Sequence, residues 1–144
     1  RTLFELWAYS IYEISVSEYP IFIARMSTFR LMVEIGLTPC LDSCVRCHGH
    51  IRAPFRFSFA EGGLLCEDED FRQTQAELTT LSSDTLALLR HIAAAPYKRL
   101  YRFYASLETR SAASDFADRW LEERMGKRYN RLALLEQNPL FFLN

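Results

Sequence analysis

The sequence predicts a mainly α chain, a helical bundle carrying a small zinc-ribbon-like β-hairpin insertion. Three observations predict it. Apolar residues recur at helical spacing in both the first and the last third of the chain. Between these stretches Cys44 and Cys47 stand two residues apart, with Cys66 following after eighteen more residues. Within that interval Phe55, Phe57 and Phe59 alternate with polar residues ahead of Gly62-Gly63, the pattern of a half-buried strand running into a turn.

The first helix is expected from Thr2 to about Ile14, with Leu3, Leu6, Trp7, Ser10, Ile11 and Ile14 on one face. Ser15-Val16-Ser17 interrupts it, and Pro20 suits the first turn of a second helix. Ile21, Ala24, Thr28, Leu31, Met32 and Ile35 line its face until Gly36 supplies a stop. Residues 37–43 are expected as a connecting loop, and the cysteine insertion is placed at 40–72 with strands at Phe55–Phe59 and Leu64–Leu65. From Leu81 the helical period returns. Ser82 is a cap, Leu86, Leu88, Leu89 and Ile92 form the face, and Pro96 is the end. A further helix over 97–107 and a long one from Ser111 to about Tyr129 complete the helical segments 1–36 and 81–144. Phe116, Trp120, Leu121 and Met125 make the buried side of the last helix, and the tail 138–143 is strongly apolar. The whole of 1–144 reads as one domain, with neither internal repeat nor low-complexity tract.

With 144 residues, 49% of them hydrophobic, the chain is large enough for a sizeable core. No apolar run approaches the roughly 20 residues of a membrane span, and no leader pattern precedes a cleavage site, so the cytoplasm is the expected address. Four cysteines bunched between Cys40 and Cys66 fit reduced thiols or metal ligands better than disulfides. The net charge of −1 hides an asymmetry, because residues 90–131 hold ten Lys/Arg against five Asp/Glu.

Two close pairs of thiolates can close a tetrahedron around Zn²⁺, and here Glu69 holds the place of the fourth cysteine. The expected ligands of a structural zinc are Cys44, Cys47, Cys66 and Glu69, with Cys40, His48, His50, Asp68 or Asp70 as substitutes for the fourth. The alternative is a ribbon without metal, held by Phe55, Phe57, Phe59 and Leu65, its thiols acting as small buried hydrophobes. Lys98, Arg99 and Arg102 interleave with Tyr97, Tyr101, Phe103 and Tyr104, and on a helix would share one side facing phosphates, with the aromatics available to stack on bases. Arg124, Lys127, Arg128 and Arg131 form a second basic group at the end of the last helix. The duller alternative for both is a solvated stripe behind a core face. No nucleophile, base or phosphate-loop constellation supports catalysis, so the chain is not expected to be an enzyme.

Gly36-Leu37-Thr38-Pro39-x-Leu41-Asp42-x-Cys44-x2-Cys47, then Phe57-Ser58-x5-Gly63-Leu64-Leu65-Cys66, then Leu81-Ser82-x3-Leu86-Ala87-Leu88-Leu89-Arg90, form an ordered series over roughly residues 20–131. This series resembles the C-terminal part of the RecO family of bacterial recombination mediators. Leu121-Glu122-x2-Met125-Gly126-Lys127-Arg128 is similar to that family's final helix. The resemblance implies a non-enzymatic role in DNA repair and homologous recombination. It implies binding to single-stranded DNA and to the single-stranded DNA-binding protein SSB, pairing with RecR, loading of RecA, annealing of strands, and a cytoplasmic, nucleoid-associated setting. The family's N-terminal OB-fold has no counterpart in this sequence. The acidic, Phe-ended SSB tail calls for an apolar pocket beside a cation. Arg124 or Arg128 near Trp120, Leu121 or Leu132 fits that description, as does Arg90 near Leu86 and Leu89. The rival expectation is a protein interaction module of a repair or transcription assembly that touches no DNA.

Overall fold

The computed structural model describes residues 2–66 and 78–126. These form helices α1 (Thr2–Val16), α2 (Pro20–Glu34), α3 (Ser83–Ala94) and α4 (Leu107–Met125), and strands β1 (Cys40–Cys44), β2 (Phe55–Ser58), β3 (Gly63–Leu65) and β4 (Leu78–Leu81). The chain is mainly α with a small four-stranded sheet. Among these residues no helix is long and apolar enough to cross a membrane.

The helix starts are local chemistry. The Ser82 hydroxyl accepts the Thr85 N–H at 3.1 Å, and the Ser106 hydroxyl accepts the Thr109 N–H at 3.1 Å. Each satisfies a first-turn donor that has no partner within its own helix. The last helix therefore begins four residues earlier than Ser111, at a cap passed over in the sequence.

Strand order is β1-β3-β2-β4, with β3 antiparallel to β2, β2 antiparallel to β4, and β1 parallel to β3. The expected strand pair is thus the centre of a wider sheet. Residues 40–44 are a strand and not a loop, and the sheet runs on to Leu81, past the expected end at 72. Neither edge strand announced itself, because Cys40–Cys44 lacks alternation and Leu78–Leu81 is short.

The sheet shares its core with the helices. Phe57 meets Phe116 of α4 edge to face with centroids 4.7 Å apart, and Trp120 at 5.9 Å. Phe59 lies 5.1 Å from Phe116, which also meets Phe29 of α2 at 6.0 Å. The Trp120 indole N–H is satisfied by the Leu37 carbonyl at 3.0 Å.

Two helix faces differ from expectation. α2 buries Phe22, Ile23, Met26, Phe29, Arg30 and Met32, while Leu31 and Ile35 are exposed. It packs against α1, α3 and α4, so apolar residues surround it and the period identifies no single face. Arg30 is buried because its Nη1 donates to the carbonyls of Ile92, Ala93 and Ala95, filling the open C-terminal end of α3, while Nε pairs with Glu34. Among the described side chains of α1, Leu6 and Ser10 are buried, whereas Leu3, Trp7 and Ile11 face solvent.

The helix expected over 97–107 is replaced by a 3-10 turn at Tyr97–Arg99, a further turn at 100–101 and irregular chain to Ser106. The backbone closes i→i+3 turn bonds here, from the Leu100 N–H to the Tyr97 carbonyl and from the Arg102 N–H to the Arg99 carbonyl. The His91 Nε2–H braces the turn by donating to the carbonyls of Arg99 and Leu100, at 3.1 Å each.

Candidate metal centre and basic loop

Cys44 ends β1, and Val45, Arg46 and Cys47 turn the chain back on itself. The turn closes through the His48 N–H to the Cys44 carbonyl at 2.8 Å and the Cys44 N–H to the Gly49 carbonyl at 3.0 Å. His48 takes a left-handed φ of 58° to make the reversal. A Cβ on Gly49 would lie 3.3 Å from the Cys47 sulfur, so glycine leaves that sulfur its room. Gly63 matters more. A Cβ there would come within 2.7 Å of the Cys40 Cβ and 2.8 Å of the Val45 Cβ, so only glycine lets β3 close on β1 and bring Cys66 to the turn.

The result is a trio of thiols. The sulfurs of Cys44, Cys47 and Cys66 all lie within 4.8 Å of one another, and those of Cys47 and Cys66 are 3.5 Å apart. Sulfurs on a tetrahedral zinc, each about 2.3 Å from the metal, sit about 3.8 Å from one another, so the trio matches three corners of such a site. The cysteines are free thiols. Three close cysteines of this geometry can hold a metal ion.

The electrostatics fit the same chemistry. Burial opposes ionisation of Cys44, but backbone N–H groups of Cys47, Cys66 and Arg46 outweigh it and bring its thiol down to about 7. Cys66 is pushed up to about 12, first by hydrogen bonding with the Cys47 and Cys44 sulfurs, then by burial. Ionisation is thus favoured at Cys44 and opposed at Cys66, and a cation held by the cluster would favour the second thiolate.

Among the described residues the trio has no fourth member. Cys40 turns away, its S–H donating to the Ser43 carbonyl at 3.3 Å, and His48 and His50 stand outside the cluster. Glu69, Asp68 and Asp70 lie outside the described residues. Arg46, between Cys44 and Cys47, is clamped by Glu61 through bonds of 2.7 and 2.6 Å, which ties the cysteine turn to the β2–β3 turn.

The first predicted basic group lies on the loop after α3. Lys98, Arg99 and Arg102 are exposed, and no described residue pairs with their side chains. The loop is anchored from within by Leu100, fully buried, and by the Tyr101 hydroxyl, 2.6 Å from those of both Ser10 and Ser27. Phe103 packs edge to face on Phe22 and His91.

Arg124 of the second group is engaged within the fold. Its guanidinium stacks 4.2 Å over the Trp120 ring and donates to the Phe59 carbonyl. Lys127, Arg128, Arg131 and Leu132 lie outside the described residues. Trp120 is a core side chain, 2% exposed, Leu121 is half-buried, and Arg90 reaches across to β1. An apolar groove between α1 and α2, lined by Leu3, Phe4, Leu6, Trp7 and Leu31, is not among the sites expected from the sequence. Its signal was an α1 with apolar residues on more than one face.

Residues 1–133 match the family model described as recombination protein O C terminal. DNA repair protein RecO of Acetivibrio thermocellus is 24% identical over 135 residues, covering 93% of this chain and 53% of the relative. The RecO of Exiguobacterium sibiricum is 29% identical over 108 residues, 75% of this chain and 42% of the relative. That of Syntrophomonas wolfei is 37% identical over 73 residues, 51% and 28% respectively. The chain thus spans about half the length, or less, of these curated relatives. No solved structure gives a significant match.

Proposed function

Because the chain belongs to the recombination protein O family, by its C-terminal part, we propose that it serves DNA repair and homologous recombination as a scaffold that holds single-stranded DNA. In this reading the four helices act as a bundle, the β2–β3 pair is the hairpin of a zinc ribbon, and residues 1–144 work as one unit. Zinc is structural, bound by Cys44, Cys47 and Cys66 with Glu69 as fourth ligand, and fastens the cysteine turn to β3. Lys98, Arg99 and Arg102 contact DNA, joined by Lys127, Arg128 and Arg131 at the basic end of the last helix, while Arg124, expected in that group, is taken up by the Trp120 ring and the Phe59 carbonyl. The SSB tail seats against Arg90 or the Leu121–Leu132 region, with buried Trp120 beneath, while RecR docks at the ribbon and RecA is loaded indirectly. The role requires no catalysis and belongs to the cytoplasm.

The observation that carries the DNA reading is the 98–102 stretch, three exposed cations without a side-chain partner among the described residues. Three cations on one short loop can neutralise successive phosphates, and that electrostatic contribution supplies most sequence-independent affinity for nucleic acid.

A second reading, a protein interaction module that touches no DNA, is favoured by the α1–α2 groove, where Phe4 is 68% and Trp7 61% exposed. Salt separates the two. Fluorescence anisotropy with labelled oligothymidylate should show binding that weakens steeply from low to moderate ionic strength. An absence of binding at low salt would leave the second reading standing and remove the first.

A further inference from the structure

Tyr104 is 98% exposed, more than any other large apolar side chain among the described residues. Its neighbours explain how it is held there. Leu100, Tyr101 and Phe103 turn inward onto α1, α2 and α3, and Ser106 caps α4 two residues further on. Burial alternates along this stretch, with Phe103 packed and Ala105 buried while Arg102 and Tyr104 face outward. The ring is therefore presented by a fixed backbone, on the same loop as Lys98, Arg99 and Arg102.

Two clefts flank this loop. One is lined by Tyr9, Arg30, Tyr97, Lys98 and Arg99, with Glu5 as its acidic group. The other is lined by His91, Phe103, Tyr104, Ser106 and Thr109, with Asp84 as its acidic group. Cations dominate the first, and aromatic and hydroxyl groups the second.

We propose that this loop binds unpaired nucleic acid, with Lys98, Arg99 and Arg102 on backbone phosphates and the Tyr104 ring stacked on one base. The inference rests on the DNA-handling reading above and adds the means of telling a single strand from a duplex. Phosphates are offered by both forms, so the cations alone do not discriminate. The faces of paired bases are covered by their neighbours, and only an unstacked base offers a free π surface to a protruding ring. An aromatic on a protein-docking surface is usually ringed by apolar residues. Here Leu107 is the exposed aliphatic neighbour, and the other outward groups of the loop are cationic or polar.

The test compares a labelled oligothymidylate with a blunt-ended duplex of two complementary strands by anisotropy across a salt series, using the 144-residue chain and three variants. Tyr104→Ala should weaken single-strand binding about tenfold and leave duplex binding unchanged. Tyr104→Phe should retain the affinity of the parent. Combined Lys98→Ala, Arg99→Ala and Arg102→Ala should weaken both forms and lower the salt slope on single strands by about 2. Circular dichroism confirms that each variant is folded, which is expected of side chains outside the core. Equal loss on both forms, or none, in Tyr104→Ala overturns the stacking role and leaves the ring for protein contact. A parent that binds single strands with all loop variants unchanged removes the loop but not the proposed function, and a parent that binds none removes both.

Discussion

Arg90 donates from Nε and Nη2 to one acceptor, the Leu41 carbonyl, at 3.0 and 2.6 Å, while its Nε also lies 3.0 Å from Asp42 Oδ1. This fork ties α3 to β1 three residues before the first cysteine of the trio. Arg90→Ala strips that carbonyl of its donors. Because the arginine side chain is 41% exposed, water can replace part of what is lost, and the expected destabilisation is about 1 kcal/mol. Urea unfolding checks it, and an unchanged midpoint would show that the fork contributes nothing.

Phe57 joins the sheet to α4. It is fully buried and meets Phe59, Phe116 and Trp120 within 5.9 Å. Phe57→Ala should cost about 3 to 5 kcal/mol, since the surrounding rings cannot close the space. A loss under about 1 kcal/mol would mean that sheet and helices are not one core.

Metal removal should have a local effect. The purified chain is expected to carry about one zinc, which Cys47→Ser or Cys66→Ser abolishes. Chelation should lower the thermal midpoint while far-ultraviolet circular dichroism keeps its helical signal, because the Phe57–Phe116 contact holds the sheet without metal. Loss of the helical signal together with the metal contradicts this, and a metal-free parent reduces the trio to packed thiols.

The Arg46–Glu61 clamp gives a pH dependence. Hydrogen bonding to Arg46 holds the Glu61 carboxyl below the ordinary carboxylate range, against a smaller effect of burial. A depressed acid stabilises the fold above its unfolded pKa and loses that contribution as pH falls through the folded value. Glu61→Gln should therefore be less stable at pH 7, by about 0.5 kcal/mol for so exposed a pair. The difference should begin to shrink as pH falls below the ordinary carboxylate value of about 4.3 and vanish once pH has fallen through the lower folded value, where the parent carboxyl protonates. A difference that persists in acid would assign the effect to packing.

The Tyr101 hydroxyl sits 2.6 Å from both Ser10 and Ser27, and burial raises its pKa, so it stays protonated and can donate to one serine while accepting from the other. Tyr101→Phe should cost about 1 kcal/mol. Hydrogen exchange of the 98–104 amides should quicken, and unchanged exchange would show that Tyr101 does not hold the loop.

What the sequence determined by itself was local or ordered along the chain. The Ser82 cap, the proline start of α2, the Leu86–Ile92 face and the spacing of the thiol trio all depend on residues close to one another or on a motif in series. The tertiary structure decided what depends on distant partners. β1 became a strand because Gly63 admits it beside β3, and the chain after Tyr97 is held in turns by His91, whose ring reaches the Arg99 and Leu100 carbonyls, and by Tyr101, whose hydroxyl reaches Ser10 and Ser27. Arg30 is buried because α3 ends against it, and Arg124 turns inward to the Trp120 ring and the Phe59 carbonyl. A local pattern records which faces and bonds a segment can offer, and the partner that accepts them lies tens of residues away, where no window of periodicity reaches.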